Sequence, residues 1–139
     1  MKTKITVTEL NHDDLVTILS TALYGSSWFE ATYNKNIYNS LKKTEGDCFE
    51  DRLADMLLNG EEITITDCEA DGVYYSKKFV KFDDNTDAAD YKITLKDVLK
   101  TASTVRGYQL IKDVLSGDGD YWTADAFLQR VVFGEEIYG

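Results

Sequence analysis

The residues of this chain with the most chemistry in them are its carboxylates. Fourteen of the 25 Asp and Glu, but four of the 15 Lys and Arg, lie between Glu45 and Asp90, so the whole net charge of −10 arises in the middle third. Seven of these acids, Glu61, Glu69, Asp71, Asp83, Asp84, Asp87 and Asp90, fall on a predicted strand edge and its neighbouring loops, with Tyr74 and Tyr75 among them. Duplex DNA carries one charge per about 1.7 Å, and a competitor for a DNA-binding groove must present several carboxylates in a row. Clustered acids therefore suit a partner with a basic groove, with Tyr74 and Tyr75 as uncharged anchors. The same charge also serves plain solubility. A basic face for direct nucleic-acid contact is absent from the pattern.

Other reactive side chains are sparse. His12 is the only histidine and has no catalytic or ligating neighbour in sequence, so it reads as a first-turn surface residue. Cys48 and Cys68 match no zinc spacing. Cys48 falls in a predicted first helical turn, where the dipole favours thiolate, but no base accompanies it, and both cysteines read as reduced and partly buried. Glu61-Glu62 and Glu135-Glu136 are neighbours in predicted strands and point to opposite faces. Asp90-Tyr91-Lys92 has the short acid-x-lysine form of a metal-dependent nuclease motif, a tripeptide that an acidic chain produces by chance. Asp118 and Asp120 lack the remaining signals of a calcium loop. No phosphate cradle, nucleophile elbow or nucleotide fingerprint is present. The expectation is a binding protein rather than an enzyme, with no cofactor and no metal.

The elements that must position these groups are legible to varying degrees. Alternation predicts a strand over 4–8, and Asn11 caps a helix whose face is Leu15, Ile18, Leu19, Ala22 and Leu23, stopped at Gly25. Trp28, Phe29 and Tyr33 make an aromatic connection that either seals the core or anchors a partner. The most strongly patterned stretch comes next. Asp47 reads as an N-cap with Glu50 as its capping-box partner; Phe49, Leu53, Met56 and Leu57 form one face; Gly60 ends the helix, and Ile63 and Ile65 alternate in a strand. Short strands are predicted over 73–75 and 79–82, an acidic loop over 83–90, and a strand through Tyr91, Ile93 and Leu95. Thr94 with Asp97 opens a helix that Gly107 interrupts, and Gly117 closes its continuation. The last helix covers 123–133, and 135–138 is a terminal strand. The segment 57–63 echoes 131–137, and Asp51 matches Asp125 at the same offset, which suggests two strand-helix-helix-strand halves or convergence on one helix-glycine-strand corner. The expected core is Leu15, Ile18, Leu19, Leu53, Leu57, Ile63, Ile65, Ile93, Leu99, Phe127 and Val131.

A chain of 139 residues without proline fits one α+β domain: a small, mainly antiparallel sheet with helices on one face. No apolar run reaches the length of a membrane span and the start lacks a signal-peptide core, so a cytoplasmic setting is expected. Leu15-Val16-Thr17-Ile18-Leu19-Ser20-Thr21-Ala22-Leu23-Tyr24-Gly25-Ser26-Ser27-Trp28, the stretch from Gly46 to Gly60, and the closing Val131 to Gly139 resemble small acidic proteins of phages, prophages and mobile elements of gut Firmicutes. The likeness covers most of the chain except 73–89 and carries no catalytic residue. It implies a phage accessory protein, a class that includes inhibitors of host defence such as anti-CRISPR proteins. The expected partner is accordingly a defence nuclease with a basic groove; a homo-oligomeric accessory module is the alternative.

Overall fold

The computed structural model describes residues 5–41 and 46–139. Helix starts are set by short polar side chains. Asn11 opens α1 (His12–Gly25), accepting from the Asp14 N–H at 2.8 Å while Asp14 accepts from the Asn11 N–H at 3.1 Å. Strand β1 (Phe29–Thr32) and the short α2 (Lys35–Asn39) come after it. Helix α3 (Phe49–Leu58) begins one residue later than expected: Cys48 is the N-cap, and its N–H donates to Asp51, not to Glu50, at 3.0 Å. Gly60 takes the left-handed φ of +78° that ends the helix, and β2 (Ile63–Asp67) begins. Then come β3 (Phe79–Phe82), β4 (Ala89–Ile93), α4 (Leu95–Ala102), α5 (Val105–Ser116) and α6 (Tyr121–Phe133).

The four strands form one antiparallel sheet in the order β1-β2-β4-β3. Ile63, Ile65 and Asp67 of β2 and Ala89, Tyr91 and Ile93 of β4 are buried, alternating with partly exposed residues, so one face meets the helices and the other meets solvent. On the inner face β1 touches α1, β2 touches α3 and β4 touches α6. Among the described residues the architecture is α+β, a four-stranded antiparallel sheet with six helices packed together. No helix of the described residues is long and apolar enough to cross a membrane. Ten of the expected core residues are buried, and Leu99 is half-buried.

Three expected strands are not strands, because their backbone groups are satisfied elsewhere. In the described part of 4–8, the Val7 N–H donates to Ser103 Oγ at 2.8 Å. In 73–75, Val73 closes a turn on Ala70 and the Tyr75 N–H donates to the Tyr91 hydroxyl at 2.9 Å. In 135–138, the N–H groups of Ile137 and Tyr138 both donate to Gln129 Oε1 at 2.7 Å. Leu95 opens α4 instead of closing β4, behind the expected Thr94–Asp97 cap, whose N–H bond is 2.9 Å. The break between α4 and α5 falls at Ser103-Thr104, ahead of Gly107. Gly107 is needed for packing: a Cβ there would lie 1.9 Å from the Thr101 carbonyl oxygen. Helix α6 starts two residues early, capped by Asp120. The halves run α1-β1-α2-α3-β2 and β3-β4-α4-α5-α6, so the strand-helix-helix-strand echo does not appear.

Candidate functional site

Strand register decides which carboxylates meet. Asp67 at the end of β2 pairs with Ala89 at the start of β4, and Phe82 at the end of β3 pairs with the same Ala89. The loops after β2 and between β3 and β4 therefore emerge at one end of the sheet. They are tied together there by the Gly72 N–H, which donates to the Asp87 carbonyl at 3.0 Å, and the β3–β4 loop is closed on itself by the Asp83 N–H donating to the Ala88 carbonyl at 2.8 Å. This tip carries Glu69, Asp71, Asp83, Asp84 and Asp87, all exposed, and half-buried Asp90 stands just inside it. Glu61 does not join them: it precedes β2 at the opposite end, in a small pocket with Glu62, Tyr33 and Lys92.

The tip is held in shape. Asp71 and Asp87 adopt left-handed φ of 48° and 57°, a conformation that a short acidic side chain tolerates. Asp83 Oδ1 accepts from the N–H groups of Asn85 and Thr86 at 2.9 and 3.0 Å. These bonds hold its carboxyl below the usual carboxylate range, so it is charged. Beneath the tip, fully buried Asp67 accepts from the Glu69 N–H at 3.0 Å and from the Tyr138 hydroxyl at 2.7 Å. Asp90 accepts from the Thr66 hydroxyl at 2.6 Å. Glu30, Thr66, Asp90 and Lys81 make a cross-strand row on the open face, so one cation stands among the acids.

Tyr74 and Tyr75 flank the tip and are 58% and 39% exposed. Neither is free to swing. Tyr74 stacks on Phe79 at 4.6 Å, and Tyr75 meets Phe133 edge-on at 5.4 Å. Tyr74 with Phe79 and Phe82 forms an aromatic shelf at the edge strand β3, and Val73 and Val80 are exposed as well. Acids at the rim and packed aromatics thus lie beside one another on the surface.

The other reactive residues do not assemble. His12 Nε2 lies 3.2 Å from Asp51 Oδ1, a pairing invisible in sequence. Cys48 and Cys68 are unpaired and exposed, not partly buried. The Cys68 thiol is pushed up by local desolvation and by the nearby Glu30, Asp67, Glu69 and Asp90, the reverse of what a nucleophile requires. In the acid-x-lysine tripeptide, Tyr91 is buried, Asp90 is bonded to Thr66, and Lys92 reaches Glu62 at 4.0 Å. Asp118 accepts from Ser116, and Asp120 caps α6. Among the described residues no three His, Cys, Asp or Glu side chains gather to hold a metal ion.

Sequence patterning offers no hint of the buried polar network under the C-terminal segment. Asp125 accepts from Trp28 Nε1 and from Gln129 Nε2, each at 2.8 Å. Gln129 Nε2 also donates to the Tyr138 carbonyl at 2.9 Å, and the Trp28 and Tyr138 rings lie 5.1 Å apart. Burial pushes the Asp67 and Asp125 carboxyls up, and the Tyr138 hydroxyl is raised by burial and by Asp67. Trp28 is half-buried and tied to Asp125, Phe29 is buried and Tyr33 is half-buried, so these three do not form an exposed patch. The exposed large aromatics include Tyr24, Tyr121 and Trp122.

No protein-family model matches the chain, and neither a curated protein nor a solved structure matches it.

Proposed function

We propose that this chain is a non-enzymatic binding protein that presents its acidic tip to a basic groove on a protein partner. The resemblance to phage accessory proteins makes that partner a bacterial defence nuclease whose nucleic-acid site is blocked, in the manner of an anti-CRISPR protein. The carrying observation is positional: six of the seven carboxylates singled out share one end of the sheet, and a buried aspartate fixes the turn beneath them. Such a face associates quickly with a basic groove and loses affinity as salt rises. Tyr74 and Tyr75 supply apolar contact beside it.

The test is capture from a Firmicute lysate with parent protein and with a Glu69→Lys, Asp84→Lys variant. Both positions are exposed, and neither side chain holds the turn. The variant is expected to keep its melting temperature and to lose the captured nuclease. Equal recovery by both proteins rejects the acidic-tip reading. The second reading, a homo-oligomeric phage accessory module, is favoured by the exposed Tyr24, Tyr121 and Trp122 near the α1–α6 junction. Sedimentation of parent and Trp122→Ser then separates the two, because only an oligomer changes mass with that substitution.

A further inference from the structure

The outer edge of β1 offers backbone groups of its own. The Cys68 N–H donates to the Trp28 carbonyl at 2.7 Å, which makes Trp28 and Cys68 a hydrogen-bonded pair. Antiparallel pairs alternate, so Glu30 and Thr32 bond inward to β2, while the Phe29 carbonyl and both backbone groups of Ala31 point away from the sheet. The Phe29 N–H is used by Ser26 Oγ at 3.0 Å. No described strand pairs with this side of β1. Below the edge runs a mainly apolar groove of about 340 Å³, lined by Leu23, Tyr24, Phe29, Ala31 and Phe49 with Glu30 and Glu50. Tyr24 and Phe49 are themselves exposed.

We infer that β1 accepts a fifth strand: an extended segment of a partner protein in which apolar and basic residues alternate. Backbone bonds to Phe29 and Ala31 would hold it, its apolar side chains would enter the groove, and its basic side chains would lie beside Glu30 on the open face. Charge chooses the occupant. A second copy would bring Glu30 and Glu50 of both chains to one seam, between molecules that each carry a net charge of −10, whereas Lys or Arg opposite Glu30 is a favourable cross-strand pair. A lone glutamate in an edge strand otherwise serves only to discourage edge pairing. This contact uses neither the acidic tip nor the Tyr74 shelf, and it stands or falls separately from them.

The probe is the capped hexapeptide Lys-Val-Lys-Val-Lys-Val, titrated into isotopically labelled protein, with Glu-Val-Glu-Val-Glu-Val as control. Expected results are saturable shifts at Phe29 to Thr32, slowed amide exchange at Ala31, and no response to the acidic control. Glu30→Lys should weaken binding roughly tenfold. Ala31→Pro removes the outward N–H at an edge position that tolerates proline, so it should abolish binding while the melting temperature holds. Glu69→Lys with Asp84→Lys, at the tip, should leave binding unchanged. The inference is overturned if the peptide does not bind, if Ala31→Pro binds it normally, if the tip variant loses it, or if the free protein dimerises through β1. Binding that appears only after 42–45 is replaced by Gly and Ser would overturn it too, by assigning the edge to the chain's own segment.

Discussion

Residues 57–63 and 131–137 are nearly the same corner in sequence, and the fold treats them differently. Both end a helix with a left-handed glycine, Gly60 at φ +78° and Gly134 at φ +85°, and neither glycine has an atom within 4 Å of a hypothetical Cβ. After Gly60 the chain enters β2 and is paired on both sides. After Gly134 it becomes a strap in which the N–H groups of Ile137 and Tyr138 both bond to one side chain, Gln129. At the offset of the echo, Gln129 corresponds to Asp55, and both are buried. Gln129 accepts from the strap N–H groups and also donates its amide N–H to the Tyr138 carbonyl, a donor that the Asp55 side chain does not have. The helix stop is therefore local. The path of the chain beyond it depends on which side chains the preceding helix carries inward and on whether a strand edge is waiting.

The sharpest break of that comparison is in the core. Leu57→Ala removes a fully buried side chain under the first corner and should cost about 2–5 kcal/mol by denaturant unfolding. An unchanged transition would mean that this helix face is assigned wrongly. At the second corner, Gln129→Ala leaves the Ile137 and Tyr138 N–H groups and Asp125 short of partners, at about 1–3 kcal/mol for a buried unsatisfied group. Its signature is local: amide exchange at Ile137 and Tyr138 should quicken well before β2 opens. Uniform loss of protection would show that strap and sheet unfold together.

Substitution at the two glycines isolates the shared half of the corner. Gly60→Ala and Gly134→Ala each force a Cβ into left-handed backbone without a clash, so each should cost about 1 kcal/mol, and equally. A large inequality would mean that the two stops are not alike.

The smallest effect is on pH dependence. The folded Asp67 carboxyl is raised by burial, so the folded state holds that proton better than the unfolded chain does. This contribution is fully present below the unfolded value near 4 and is lost as pH rises through the raised folded value. Parent protein should thus gain stability relative to Asp67→Asn as pH falls from 7 toward 4. Glu136 works oppositely: burial would raise it, but bonds from Arg106 and Arg130 outweigh that and hold it low. A constant difference between parent and Asp67→Asn across this range would remove Asp67 from the pH response.

Legibility in the sequence divides along the same line between local and remote. Asn11, the Thr94–Asp97 box, Gly60, Gly117 and Gly134 act on their own turns and are read correctly. The cap of α3 is misplaced by one residue because Asp47 with Glu50 and Cys48 with Asp51 both offer an acid three positions on, and only the fold selects Asp51. Strand propensity is misleading at 73–75 and 135–138 because propensity supplies no partner edge. Buried Asp125 and Asp67 are invisible because their partners Trp28 and Tyr138 are 97 and 71 residues away. The candidate site divides the same way. Loop acids next to β4 are placed by adjacency, whereas grouping Glu61 with them fails because β2 carries it to the other end.

Helix α1 packs more extensively on α6 than on any other element, and α6 also holds Trp28 through Asp125. During synthesis, α1 leaves the ribosome long before the helix that packs on it. Its apolar stripe stays wet until α6 has emerged, so this part of the core closes only then, and the nascent chain exposes a surface prone to aggregation in the meantime. A message cut short before α6 would therefore yield not a smaller working domain but sticky, short-lived protein.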